Sequence, residues 1–374
     1  MTEDGPGRVS TLELFFDLVF VFTITQLTST LVHEPLGRGL AQVVLMLGVI
    51  FWMYGGYAWL TNAVTVDQGA RRVLLLGGMA GYLVLALAIP HAYSGSGAAF
   101  GIAYVAIVAV HTLLFFRADS PEVRRGVVGL APFNAATAGL VLAGGLAGGT
   151  AQYVLWALAF VAEWLTPRVL RSGTFEISPS HFVERHGLVV IIAIGESVVA
   201  IGIGAQGLEL DVALAAVAVL GLLLSACLWW TYFGGGDEDR AEEALMSAPV
   251  AERPQLAIEA WGYCHLGLLL GVIGVAAGIK TAVGHPFDAL DGKAALLLAG
   301  GVALYLVSDV LFRRRLAIRG GGLRAAAAVV ALATIPAGTA GSAAAQLALL
   351  VAIFGGALVV ESRRRTPLTA APAA

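Results

Sequence analysis

Glu13 and Asp17 interrupt an otherwise apolar run, and a second run carries His181, Glu184, Arg185 and His186 at its start and Glu196 three turns later. Carboxylates, imidazoles and a guanidinium in apolar surroundings support proton exchange, contact with a passing cation, or a buried ion pair. At 100° per residue, Glu13, Asp17, Phe20, Ile24 and Leu31 share one narrow helical stripe. His181, Arg185, Ile192 and Glu196 share another, while Gln26 lies with Thr23 and Thr30 on a different face of the first run. Asp17 and Arg185 each stand about five residues in from the same end of their runs, so their depths match and a carboxylate–guanidinium pair is expected. Two readings of the cluster stay open at this point. In one, the charges lock two helices together. In the other, they line a polar path for a proton or monovalent cation, with Glu196 its deepest acid.

The elements that hold these residues follow from composition. Of 374 residues, 58% are hydrophobic and 13% charged, against about 45–50% and about 25% in soluble domains. The excess is gathered into stretches of about 20 residues, the length of a membrane-spanning helix. A soluble enzyme, a secreted disulfide scaffold and a disordered regulator are excluded, and a net charge of −3 without a basic block argues against nucleic acid as a partner. The expected fold is all-α, a polytopic membrane protein with the lipid bilayer as its solvent. Twelve spans are predicted, near 12–32, 39–60, 73–91, 98–116, 126–147, 151–170, 181–205, 210–233, 256–279, 294–312, 324–341 and 344–360. With the N-terminus inside, 19 of the 22 basic residues fall on the cytoplasmic side, including Arg8, Arg171 and Arg363–Arg365, and Arg38, Lys280 and Lys293 fall opposite. That predicts a cell-membrane protein with both termini cytoplasmic. The first run is too long for a signal peptide and contains Asp17, so no cleavage is expected.

A shift of 170 residues lays 17–27 on 187–197 without a gap, with Gln26 falling on Glu196. The following run in each half carries Trp-x-Tyr (Trp52 and Tyr54; Trp230 and Tyr232), and the third carries Gly-Tyr (Gly81–Tyr82; Gly262–Tyr263). The chain is therefore expected to contain two parallel six-helix repeats, 1–171 and 172–361, followed by a cytoplasmic tail, 362–374. Gly-x-x-x-Gly spacings (Gly77 and Gly81, Gly267 and Gly271, Gly274 and Gly278) are read as close helix packing. The acidic stretch 234–255 is read as solvated. Glu163, Glu259, His111, His265 and Asp309 are expected to be satisfied structural groups. Cys227 and Cys264 are read as small apolar side chains. No nucleophile elbow, zinc motif or phosphate loop is present in the sequence, so neither an enzyme nor a metal or other cofactor is expected.

The run LELFFDLVFVFTITQL (12–27) and the run ERHGLVVIIAIGESVVAIG (184–202) resemble the two signature stretches of the bacterial low temperature requirement protein A family. The resemblance implies a multi-pass membrane protein linked by name to growth in the cold. FFDLVFVFTIT (15–25) is also similar to the first-helix motif of the endosomal–lysosomal potassium channel family, through Phe15, Asp17, Phe20, Ile24 and Thr25. Phe16 stands where that motif has Ser, and Gly187 stands where the second half would need Asp, while Ile194 falls on Ile24. This second resemblance implies first helices lining a pore, with Ile24 and Ile194 as apolar constrictions and two chains forming a homodimer. Transport of a cation or proton along helices 1 and 7 is the leading expectation. A non-transporting sensor or scaffold is the alternative, and an enzyme acting on lipids, using His181–His186, is a third.

Overall fold

A chain surrounded by hydrocarbon must satisfy its backbone groups internally, so each apolar run is forced into a helix. The computed structural model describes residues 9–64, 66, 69–169 and 177–365, and among these there are helices and turns but no strand. Arg8, Arg171, the expected repeat boundary at 171/172 and the tail beyond 365 lie outside the described residues. The helices are α1 (Thr11–His33), α2 (Arg38–Ala63), α3 (Gly69–Ala88), α4 (Gly97–Phe116), α5 (Pro121–Ala147), α6 (Gly149–Val169) and α7 (Pro179–Gly204). They continue with α8 (Val212–Phe233), α9 (Asp237–Ser247), α10 (Arg253–Ala257), α11 (His265–Gly284), α12 (Gly292–Arg315), α13 (Gly322–Leu332) and α14 (Ala343–Arg365). A π-helical turn, Ile258–Cys264, joins α10 to α11.

Eleven helical segments among the described residues are long and apolar enough to cross a membrane. The remaining expected span, 151–170, is the 21-residue α6, which is less apolar because Gln152, Glu163 and Thr166 interrupt it. The chain is thus an all-α polytopic membrane protein.

Contacts divide the chain into two units, Met1–Ala193 with Ala241–Leu266, and Ile194–Arg240 with Gly267–Ala374. This partition follows contacts; the expected halves 1–171 and 172–361 follow sequence equivalence. In the first unit, α3, α4, α5 and α6 pack as successive hairpins, and α1 lies against α2 and α3. Ser10 caps α1 with a capping box, its hydroxyl accepting from the Glu13 amide while the Glu13 carboxylate accepts from the Ser10 amide. The core of this unit is aromatic, with Phe16, Phe20, Tyr54, Tyr57 and Tyr82 in mutual contact.

In the second unit, α8 packs on α14, and α12, α13 and α14 pack in series. The Gly spacings in α11 work as expected. A Cβ at Gly271 would fall 2.8 Å from the Tyr305 amide nitrogen of α12, and one at Gly278 would fall 2.7 Å from Leu298 Cβ. Glycine there lets the two backbones approach where burial of apolar surface supplies no drive.

Candidate functional site

The charges foreseen on α1 and α7 meet within the first unit. Arg185 is fully buried, and its Nη2 stands 3.1 Å from Asp17 Oδ1. The Tyr54 hydroxyl donates to the same Asp17 oxygen at 3.0 Å. The guanidinium also lies over the rings of Phe16 and Tyr54, at 5.5 and 5.9 Å from their centroids. One turn before Asp17, Glu13 Oε1 stands 3.1 Å from His181 Nε2. Asn62 Nδ2 in turn lies 3.3 Å from His181 Nδ1, fixing that ring from its other side. Glu184 is half-buried and accepts from the Val9 amide at 3.2 Å, tying the chain just before α1 to α7.

This group is incompletely satisfied. Among the described residues, Arg185 Nε and Nη1 and Asp17 Oδ2 are buried with no hydrogen-bond partner. The contact from Nη2 is an ion pair without an aligned hydrogen bond. Each such orphaned group carries a desolvation cost of about 1–3 kcal/mol, more for a charged one.

The other expected site residues go elsewhere. Ile24 is fully buried in the first unit, and Gln26 is half-buried, its backbone oxygen accepting from Thr30. His186, next to Arg185 in sequence, stands edge-on to the Tyr54 ring at 6.4 Å between centroids. Its Nδ1 bonds the Phe182 carbonyl oxygen at 2.8 Å, and its ring packs against those of Phe182, Trp261 and His265. Ile194 and Glu196, both buried, belong to the second unit.

The second unit holds a charge cluster whose members the sequence reading kept apart, with Asp309 a satisfied group inside a span and Asp237 in a solvated stretch. Arg324, 2% exposed, donates to Glu361 at 2.9 Å, to Asp309 at 2.6 Å and to the Thr231 carbonyl at 3.0 Å, and it reaches Asp237 at 3.4 Å. Arg313, equally buried, bonds Asp237 and the Arg319 carbonyl, and Arg240 bonds the other Asp237 oxygen. Asp237 was expected to be solvated with its acidic neighbours. It is buried, with the guanidiniums of Arg240, Arg313 and Arg324 facing it. The available signal was charge arithmetic: Arg313 and Arg324 flank a short turn, with Asp309 one turn before Arg313.

The helices and the buried charges define a polytopic α-helical membrane protein with two buried clusters of charged residues. A family model described as bacterial low temperature requirement A protein (LtrA) matches residues 8–359. The chain belongs to that family. It is 29% identical over 322 residues to an uncharacterized protein of Rhizobium meliloti (strain 1021), a match covering 82% of this chain and 77% of the relative. No solved structure matches.

Proposed function

We propose that the protein is a membrane transport protein for a proton or monovalent cation, with its path bounded by α1 and α7 and gated by the Asp17–Arg185 pair. The observation that carries this reading is the unsatisfied state of that pair. A buried pair kept only for stability is expected to fill its donors, as Arg324 does in the second unit. Arg185 and Asp17 leave three polar atoms without partners, an arrangement that favours a group able to change its partner when an ion or proton arrives. Glu196, three turns along α7, is assigned to the same path on sequence position. Ile24 and Ile194 are assigned as apolar constrictions that gate by dewetting.

The proposal extends to topology and assembly. Both termini face the cytoplasm, following the distribution of basic residues, and α1 and α7 lead equivalent repeats. Two chains associate, supplying four such helices. The bacterial cell membrane is the assigned location.

The second reading, a non-transporting sensor or scaffold with Asp17–Arg185 as its lock, draws on one observation. The pair is closed in by Phe16 and Tyr54, so it is packed as tightly as a core. Purified protein in potassium-loaded liposomes separates the two. Transport predicts a cation or proton flux that Ile24→Asn, Asp17→Asn and Glu196→Gln each change. Flux no greater than from empty liposomes, in protein shown to be folded, overturns the transport reading.

A further inference from the structure

The first unit contains a cavity of about 120 Å³ that the transport reading does not use. Four of the chain's seven tryptophans line it: Trp52, Trp59, Trp164 and Trp261. Among the described residues, no Lys, Arg, Asp or Glu lines it. An ionic ligand would find no compensating charge there, and in a low dielectric that cost is severe. The walls therefore select an uncharged, flat molecule that can stack on indole faces. A cavity of roughly 150 Å³ takes up benzene, so this volume suits a single ring.

Two polar groups specify what the ring must carry. His111 is buried and lines the cavity, with the Gly56 backbone beside its ring and no aligned hydrogen bond at either ring nitrogen among the described residues. Its place is prepared by Gly56, where a Cβ would fall 3.0 Å from His111 Nε2. A neutral imidazole offers one N–H donor. The second group is Asn134, whose Oδ1 accepts from Trp52 Nε1 at 3.4 Å. Because indole only donates, this bond fixes the carboxamide and leaves its NH₂ as the remaining polar end. Both groups present donors, and the complement of two donors is a ring bearing carbonyl oxygens.

The backbone around the cavity is also unusual. Trp261 and Gly262 reach it from the π-helical turn Ile258–Cys264. Such wide turns are uncommon in helices and concentrate at functional sites. The turn exchanges regular hydrogen bonding for the placement of an indole at this wall, and His265 Nδ1 meets the Ala260 carbonyl oxygen at 3.0 Å within the widened register.

We propose that this cavity binds the head group of a quinone-type lipid, a neutral ring with carbonyl oxygens, with His111 and Asn134 donating to those oxygens. The proposal concerns binding alone and stands apart from the transport reading.

The experiment titrates purified protein in nanodiscs with a short-chain quinone and follows tryptophan emission, since four of seven indoles would touch the ligand. Saturable quenching is expected. His111→Phe keeps the ring and removes the donor, so the titration should shift roughly threefold to tenfold, the worth of one hydrogen bond. Gly56→Leu fills the space His111 needs and should abolish saturation, with circular dichroism confirming the helix content of both variants. A parallel titration with tetramethylammonium tests whether the indoles instead form a cage for a cation. Linear, unsaturable quenching that His111→Phe leaves unchanged overturns the proposal. So does saturation by tetramethylammonium with none by the quinone.

Discussion

Replacing Asp17 by Asn removes the carboxylate charge facing Arg185 while nearly preserving shape. Asp17 Oδ1 stands 3.1 Å from the guanidinium, which is itself fully buried. Removing one partner of such a pair costs about 3–5 kcal/mol. The rings of Phe16 and Tyr54 stay over the guanidinium and retain up to about 2 kcal/mol of attraction, so the lower end of that range is expected. That end corresponds to roughly a hundredfold change in an equilibrium constant. Thermal unfolding in detergent, followed by fluorescence-detected size exclusion, should show a clear drop for Asp17→Asn and for Arg185→Gln. The charge swap Asp17→Arg with Arg185→Asp should recover much of the loss, and the cycle should report a coupling above about 0.5 kcal/mol. The apolar pair Asp17→Leu with Arg185→Met should also recover stability, because an apolar isostere avoids desolvating two charges. Where the parent protein shows flux, the flux of this variant assigns the pair's role in it: a stable variant without flux marks the pair as part of the path, and unimpaired flux marks it as a lock outside the path. A parent-like melting curve for Asp17→Asn would refute the claim that the charges are energetically coupled at all.

Arg324→Met should cost about 3–5 kcal/mol, because it strands Asp309 and Glu361 in a buried cluster, and the same melting assay reads it. Gly301→Leu should destabilise by about 1–3 kcal/mol, since even a Cβ there would fall 2.6 Å from the Val275 amide nitrogen, whereas Gly292→Ala, with open space around it, should melt like the parent. Ser10→Ala should cost about 1 kcal/mol by removing the cap of α1. In the exposed loop between α4 and α5, the hydrogen bond from Arg71 holds the Asp119 carboxyl below its usual range. A lowered carboxyl favours the folded form above the ordinary carboxylate range and loses that contribution as pH falls through the lowered value, so an NMR titration of Asp119 should move upward in Arg71→Gln.

The spans were legible because hydrocarbon leaves the backbone one solution, and runs of twenty apolar residues announce it. The contact between α1 and α7 was legible for a different reason: a lone acid and a lone base at matched depth in lipid have few other partners. The aromatic part of the site was not, since Tyr54 and Phe16 look like any other apolar filler until Asp17 is placed. His186 was assigned to the charges because it neighbours Arg185, yet adjacent helical residues point about 100° apart, and this one faces Trp261. The π-helical turn leaves no pattern in residue type, because a single extra residue per turn changes which face Trp261 occupies without changing its polarity. Arg313 and Arg324 were counted among the cytoplasmic basic residues, and Asp237 among solvated acids; all three lie at helix ends. Helix ends are where chains fold back, and there α9, α12, α13 and α14 bring opposite charges into one buried place.

The contrast between the two clusters bears on function more directly than either cluster alone. Arg324 has a partner for every guanidinium nitrogen, so its environment is already complete and any displacement costs hydrogen bonds. Arg185 has a charge partner and two aromatic faces, yet Nε and Nη1 remain without acceptors. Moving it therefore forfeits fewer bonds, and a proton or cation competing for Asp17 meets a smaller opposing free energy. The stability of Arg324 variants should consequently track hydrogen-bond loss alone, unchanged by the ion present, whereas the melting temperature of the parent protein should respond to potassium or proton concentration through Asp17 and cease to do so in Asp17→Leu with Arg185→Met.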